Sequence, residues 1–201
     1  MKPYDRAYFD RWYRGDDPVK GAGELMRQVA LAVAATESIL DRELTSVLDV
    51  GCGEGRWQPV VRELRPGASY LGLDPSEYAV SRFGESRNLL SGSFQGLEAF
   101  AFEEPFDLLV CADVLHYLDD VTLLSGIDTL ADLVGGVALL EVFTAADPAL
   151  GDREGLHLRA PTWYHRVFRG AGLVSVGLQM WVHQEIAETL DAMDLPVAPL
   201  S

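Results

Sequence analysis

The stretch VLDVGCGEGRW, residues 47–57, decides how this chain is read. Aliphatic residues run up to Val50, and Gly51, Gly53 and Gly55 then alternate with Cys52 and Glu54 ahead of a segment with helical spacing. A backbone that turns sharply at the end of a strand needs residues tolerant of unusual dihedral angles, and a missing side chain lets it pass close to a ligand. Amides at the start of the next helix can then donate to that ligand. A plain strand–helix turn recruits one glycine; three in five residues, preceded by Asp49, point to a ligand loop.

Strand and helix patterns alternate on both sides of this loop. Residues 24–42 carry Leu25, Val29, Ala32, Val33 and Ile39 at helical spacing, and 56–64 return to that pattern after the strand at 47–50. A second strand at 70–73 ends on Asp74, with Pro75 placed to open a helix through Phe83. Short strand 88–90 follows, then FDLLVC at 106–111, apolar enough to be buried on both faces as a parallel strand is. The pattern predicts a helix over 119–133 closed by Gly135-Gly136, and a fifth strand over 137–143. Pro161 opens another helix, Gly172 closes it, and 174–178 with 180–183 form a final antiparallel pair. The tail from Gln184 ends in a short helix before Pro196 and Pro199. This order predicts an α/β fold, an open and mostly parallel doubly wound sheet with ligands at the carboxyl ends of its strands.

The 201 residues, 48% hydrophobic and without internal repeats, suit one domain spanning 1–201. Sixteen Lys and Arg against 31 Asp and Glu give a net charge of −15, which argues against a partner held through phosphates, so nucleic acid is not expected. A small or cationic acceptor suits that balance better. Cys52 and Cys111 lie far apart with no metal-ligand spacing, so no metal site is expected and both read as reduced packing residues. The start, MKPYDRAYFDRWYR, is charged and aromatic, and no apolar run is long enough for a bilayer. The expectation is a cytoplasmic protein, monomer or homodimer, with no membrane partner.

Two ligand classes compete for the glycine loop. The dinucleotide fingerprint needs glycine at position 56, where this chain has Arg56. Asp49 and Glu54 beside the loop suit a cationic aminoacyl sulfonium better than a pyrophosphate. Asp74, about 20 residues past the glycines, can accept from both ribose hydroxyls of either ligand.

VLDVGCGEG followed by YLGLDPS, FDLLVCADVLHYL and GGVALLEVF resembles the class I S-adenosylmethionine-dependent methyltransferases, in order over residues 45–145. The resemblance implies a seven-stranded sheet with one antiparallel strand near the C-terminus, and S-adenosyl-L-methionine as cofactor. It implies that Asp49, Gly51, Cys52, Gly53 and Gly55 line the aminoacyl and ribose side, and that Asp74 takes the ribose hydroxyls. Pro75 and Ser76 would sit beside the adenine, Ser93 and Phe94 against its ring, and Cys111, Ala112 and Asp113 near the methionine part. The family often has an acidic residue where Ser93 stands. No Asn-Pro-Pro-Tyr-type motif follows the fourth strand, since ADVLHY stands there.

The acceptor is expected to be a small molecule with an oxygen or nitrogen nucleophile. His116 is the candidate general base, with packing over the cofactor as the alternative role. Tyr117 beside it and His157, on a loop before the Pro161 helix, are candidate acceptor contacts. Glu141, inside an apolar strand pattern, is either paired to a backbone or arginine neighbour or is a wall recognising the acceptor. A non-catalytic cofactor-binding module would have a broken glycine loop or lack the ribose carboxylate, and neither is seen. A nicotinamide-dependent oxidoreductase is the weaker alternative, disfavoured by Arg56.

Tyr4, Tyr8 and Trp12 recur every four residues, with Phe9 and Tyr13 one step over, which gives an aromatic stripe on a short helix. Gly15, Asp16, Asp17 and Pro18 break it. Residues 1–23 are read as a cover for the core or as a lid over the cofactor, with Tyr13 facing the cofactor and Tyr8 or Trp12 the acceptor.

Overall fold

A computed structural model describes residues 4–14, 20–148, 152–191 and 194–195 of the chain. The breaker at 15–18 and the two prolines of the tail lie outside them.

One seven-stranded sheet forms the frame. Its strands are β1 (Ser46–Val50), β2 (Ser69–Asp74), β3 (Leu89–Ser91), β4 (Phe106–Ala112), β5 (Val134–Glu141), β6 (Leu173–Gly177) and β7 (Met180–His183). They lie in the order β3-β2-β1-β4-β5-β7-β6. β7 runs antiparallel to both β5 and β6, and the remaining pairs are parallel. This is the sheet that the alternation and the family resemblance imply.

Side-chain alternation sorts the strands into two apolar layers. Leu48 and Val50 of β1, Leu109 and Cys111 of β4, and Ala138 and Leu140 of β5 point to one face. There they meet Leu123, Ile127 and Leu130 of α5 (Asp120–Asp132) and Tyr164 and Phe168 of α6 (Pro161–Gly170). Val47, Leu108, Val110, Val137 and Leu139 point the other way. They pack under Leu25, Val29 and Val33 of α2 (Ala22–Leu40) and Val61 of α3 (Trp57–Leu64). Burying each such leucine or valine stabilises the fold by about 1.5–3 kcal/mol, so both faces of the central strands must stay apolar.

One boundary is corrected. Gly135-Gly136 does not close the helix before β5; both glycines lie inside the strand. A Cβ on Gly136 would lie 2.3 Å from the Asp107 carbonyl oxygen, and the β4–β5 register shifts between Phe106 and Leu108. Glycine is there because two backbones approach closely at a bulge. The strand accordingly begins at Val134 and ends at Glu141, before Val142 and Phe143. Gly172 does stand just past α6 with φ +80°, as a left-handed helix stop requires.

Two further helices bound the ligand side. α1 (Arg6–Tyr13) is capped by Asp5, whose carboxylate accepts from the Tyr8 amide at 3.0 Å. α4 (Glu77–Arg87) is capped by Ser76, whose Oγ accepts from the Ala79 amide at 3.1 Å. A short α7 (Gln184–Ala187) follows β7.

Candidate cofactor and acceptor site

β1, β2 and β4 bring their carboxyl ends together where the strand order reverses, the place at which open α/β sheets bind ligands. Asp74 ends β2 and is 6% exposed. Its Oδ2 accepts from the Gly53 amide at 2.7 Å, and its Oδ1 from the Ser76 amide at 2.9 Å. Burial pushes its pKa up, while the two amides pull it back down. The carboxylate therefore ties the glycine loop to the start of α4 and keeps lone pairs for hydroxyl donors.

The three glycines have different reasons. At Gly51 and Gly55 a Cβ would strike the side chains of Val114 and Leu89, so those positions serve packing. Gly53, with φ +55°, is the one that faces the site: a Cβ there would lie 3.1 Å from the Tyr13 hydroxyl and 3.2 Å from the Phe9 ring.

Asp49 lies in β1 beneath this loop, 3% exposed, and accepts a 2.6 Å hydrogen bond from the Tyr70 hydroxyl. Burial raises its pKa to about 7, against the Tyr70 bond that lowers it, and the Asp74 charge adds to the rise. A carboxyl with a raised native pKa costs nothing below its unfolded value near 4, and costs progressively more as pH climbs to 7. Asp49→Asn mimics the protonated group. It is expected to gain about 2–4 kcal/mol of stability at pH 7.5, with the gain gone at pH 4. Urea unfolding at the two pH values checks this, and an equal effect at both would refute it.

α1 covers the loop. Phe9 is 2% exposed and packs 5.2 Å from Tyr13 and 5.6 Å from Tyr78 of α4. The Ser76 hydroxyl donates to the Tyr4 carbonyl at 2.5 Å, and the Arg14 guanidinium pairs with the Glu54 carboxylate. Arg56, which stands where a dinucleotide loop has glycine, lies 5.4 Å over the Tyr13 ring. Tyr13 thus reaches the loop, and Tyr8 sits 5.1 Å from Tyr4 beside it. Trp12 stands apart, under the Arg11 guanidinium.

The other expected contacts divide. Ser76 is buried and Pro75 exposed at the β2 end. Ser93 precedes a short turn of helix, but Phe94 drives its ring into the core, where a Cβ on Gly126 would lie 2.5 Å from it. Cys52 and Cys111 are buried free thiols, each pushed up in pKa mainly by burial. Ala112 and Asp113, half-buried, carry β4 into the site.

His116 lies in the short turn Leu115–Tyr117 and has no exposed surface. Its Nδ1 accepts from the Phe143 amide at 3.2 Å, and its Nε2 lies 3.0 Å from Asp113 Oδ1. The Tyr117 hydroxyl donates to the Asp152 carbonyl at 2.8 Å. His157 is exposed; its amide, not its ring, reaches the site by donating to the His116 carbonyl at 2.8 Å. Glu141 is paired, with Lys20 at 2.8 Å and Gln28 at 2.8 Å rather than with backbone or arginine. Its carboxylate lines a groove of about 520 Å³ beside α2 that contains no residue of the glycine loop. Among the described residues no group of three His, Cys, Asp or Glu side chains is placed to hold a metal, and no helix is long and apolar enough to cross a membrane.

Sequence reasoning missed Arg159. It is 9% exposed, and its guanidinium donates to Asp120 at 2.7 Å, to the Leu118 carbonyl at 2.5 Å and to the Tyr164 hydroxyl at 3.1 Å. The ring of Trp163 lies 4.5 Å beneath it. Arg159 thereby fixes the turn that carries His116 and Tyr117. The clue was an arginine four and five residues before an aromatic pair, a spacing that reads equally well as solvated surface.

A family model described as a methyltransferase domain matches residues 21–198. No curated protein is detectably similar in sequence. Among solved structures, Streptomyces venezuelae DesVI is 16% identical with a TM-score of 0.65, covering 88% of this chain and 97% of its own. Magnesium protoporphyrin IX methyltransferase from Synechocystis, solved with bound SAH, is 19% identical with a TM-score of 0.59, covering 86% and 87%. An O-methyltransferase family protein from Burkholderia thailandensis is 20% identical with a TM-score of 0.56; the match takes in 77% of this chain but spans about half (53%) of that longer one.

Proposed function

Because the chain belongs to the methyltransferase domain family, as an S-adenosylmethionine-dependent enzyme, we propose that it methylates an oxygen or nitrogen of a small molecule. S-adenosylmethionine, when bound, supplies an electrophilic methyl group on a sulfonium. The observation that carries the reading is the bond from the Gly53 amide to the buried Asp74 carboxylate, beneath the Phe9 and Tyr13 side chains of α1. A carboxylate so placed accepts from vicinal hydroxyls, and a loop without side chains lets its backbone approach the aminoacyl arm closely. Asp49 beneath the loop, its pKa raised by burial to about 7, favours a nearby cation as its charge develops, while Glu54 is already paired with Arg14.

Residues 1–23 act in this reading as a lid on one domain that spans 1–201. Phe9 and Tyr13 cover the loop, exclude water from the methyl group and offer aromatic faces to a cation. Tyr8 and Tyr117 face the acceptor; Trp12 and His157 lie at the margin. The two free thiols suit a cytoplasmic setting.

Asp74→Ala is expected to weaken S-adenosylhomocysteine binding by about 1.5–3 kcal/mol, the worth of two hydroxyl donors on a charged acceptor. Calorimetry measures it, and an unchanged dissociation constant would remove the ribose assignment. Titration with a nicotinamide dinucleotide in parallel separates this reading from an oxidoreductase.

A further inference from the structure

We propose that Asp113, held from behind by His116, takes the basic nitrogen of the acceptor, so that the substrate is a small primary or secondary amine and His116 is a positioning residue. This rests on the methyl-transfer reading above. The geometry separates the two side chains. His116 is wholly buried, whereas the Asp113 side chain is 40% exposed at the end of β4. The Phe143 amide donates to His116 Nδ1, so a neutral imidazole must carry its proton on Nε2, on the side of Asp113 Oδ1. Those two atoms are 3.0 Å apart, buried, and not aligned as a hydrogen bond; among the described residues no other group satisfies either. Buried polar atoms left in this state mark an arrangement completed by something else, here an acceptor that draws the carboxylate into line.

Asp113 is also held in the left-handed region, with φ 62°, while its amide donates to the Glu141 carbonyl at 3.1 Å. A non-glycine residue persists in this region where the surroundings fix its side chain's direction. The ring of His116 is wedged between Tyr117 at 4.5 Å and Phe143 at 5.2 Å, so it cannot swing out to meet a substrate itself.

The surroundings select the class of acceptor. The fields of Asp113 and Asp152 both reach the hydroxyls of Tyr4, Tyr8 and Tyr117, and burial with those charges keeps all three phenols protonated. Neutral phenol rings beside the Asp113 carboxylate attract an ammonium and disfavour a carboxylate or phenolate acceptor. The bound ammonium first gives one proton to the Asp113 carboxylate or to water; the lone pair so freed forms the N–C bond, and the S–C bond breaks with its electrons returning to sulfur, which leaves S-adenosylhomocysteine and the N-methylated ammonium.

The test begins with the ligand-free full-length chain. Nitrogen-15 spectra of the histidines are expected to show His116 neutral with its proton on Nε2, and Asp113→Asn to move that Nε2 resonance. A proton on Nδ1, or no response to Asp113→Asn, overturns the pairing. Turnover is then read as S-adenosylhomocysteine release with phenethylamine and N-methylphenethylamine against 2-phenylethanol and phenylacetate. Amine turnover is expected. Turnover of only the oxygen acceptors, or of none while S-adenosylhomocysteine still binds, overturns the amine assignment; loss of that binding in the wild type overturns the methyl-transfer reading instead.

Asp113→Asn should raise KM for the amine about 30-fold with the dissociation constant of S-adenosylhomocysteine within about threefold. His116→Asn, which keeps the acceptor for Phe143 but loses the donor toward Asp113, should cost about as much. His116→Gln, which keeps that donor, should recover most of kcat/KM. In the Asp113→Asn background His116→Asn should add less than about twofold. Equal costs of His116→Asn in both backgrounds would show that the two residues act independently and end the proposal.

Discussion

Gly53→Val raises the dissociation constant of S-adenosylhomocysteine by about 5- to 150-fold, because overpacking a filled site costs about 1–3 kcal/mol and the β-branched side chain meets two rings at once. A Cβ at this position already lies 3.1 Å from the Tyr13 hydroxyl and 3.2 Å from Phe9, and φ is +55°. Branching adds atoms between the loop and these two rings. The loop's other anchors use its backbone amides, Gly53 donating to the Asp74 carboxylate and Gly51 to the Leu73 carbonyl at 2.7 Å, and survive. The sheet should therefore stay folded and melt about 2–12 °C lower, since strain of about 1–3 kcal/mol moves Tm by roughly 2–4 °C per kcal/mol in a domain of this size. Gly53→Ala should fall between the two. Calorimetry and thermal melting decide it together, and a folded valine variant that binds normally would show that the ligand does not pass this loop.

Deleting residues 1–18 is expected to lower cofactor affinity by at least about tenfold and to stop turnover. The reason is the loss of the Phe9 and Tyr13 faces and of water exclusion, each worth about 0.5–2 kcal/mol against a cation. The sheet should survive. Phe9 is buried but belongs to neither apolar layer; it rests on Gly53, Tyr13 and Tyr78 instead. Ties of this segment to the rest of the chain include the Ser76 bond to Tyr4, the Arg56 guanidinium over Tyr13 and the Arg14 pair with Glu54, whose carboxylate becomes solvated when the segment is removed. A truncated chain that unfolds outright would make α1 part of the core. One that binds and turns over normally would leave it no functional part.

The α/β alternation, the buried central strands and the positions of Asp74 and the glycine loop were legible in local pattern. Period-two runs, helix-opening prolines and a glycine past a helix act over a few residues and need no distant partner. Gly135-Gly136 read as a helix stop and proved to be strand, because only a neighbouring backbone, here at Asp107, distinguishes a turn glycine from a close-approach glycine. Likewise, no spacing showed that Gly53 alone of the three faces the lid, that Phe94 turns inward, or that Glu141 finds Lys20, 121 residues away. His116 is the clearest case. Its residue type and place after β4 suggested a base in the cleft. Its burial, its bond to Phe143 across 27 residues and its contact with Asp113 depend on how β4 and β5 lie side by side. Residue type and local spacing set which chemistry a side chain can offer; which of them meets the ligand is decided by packing between segments far apart in the chain.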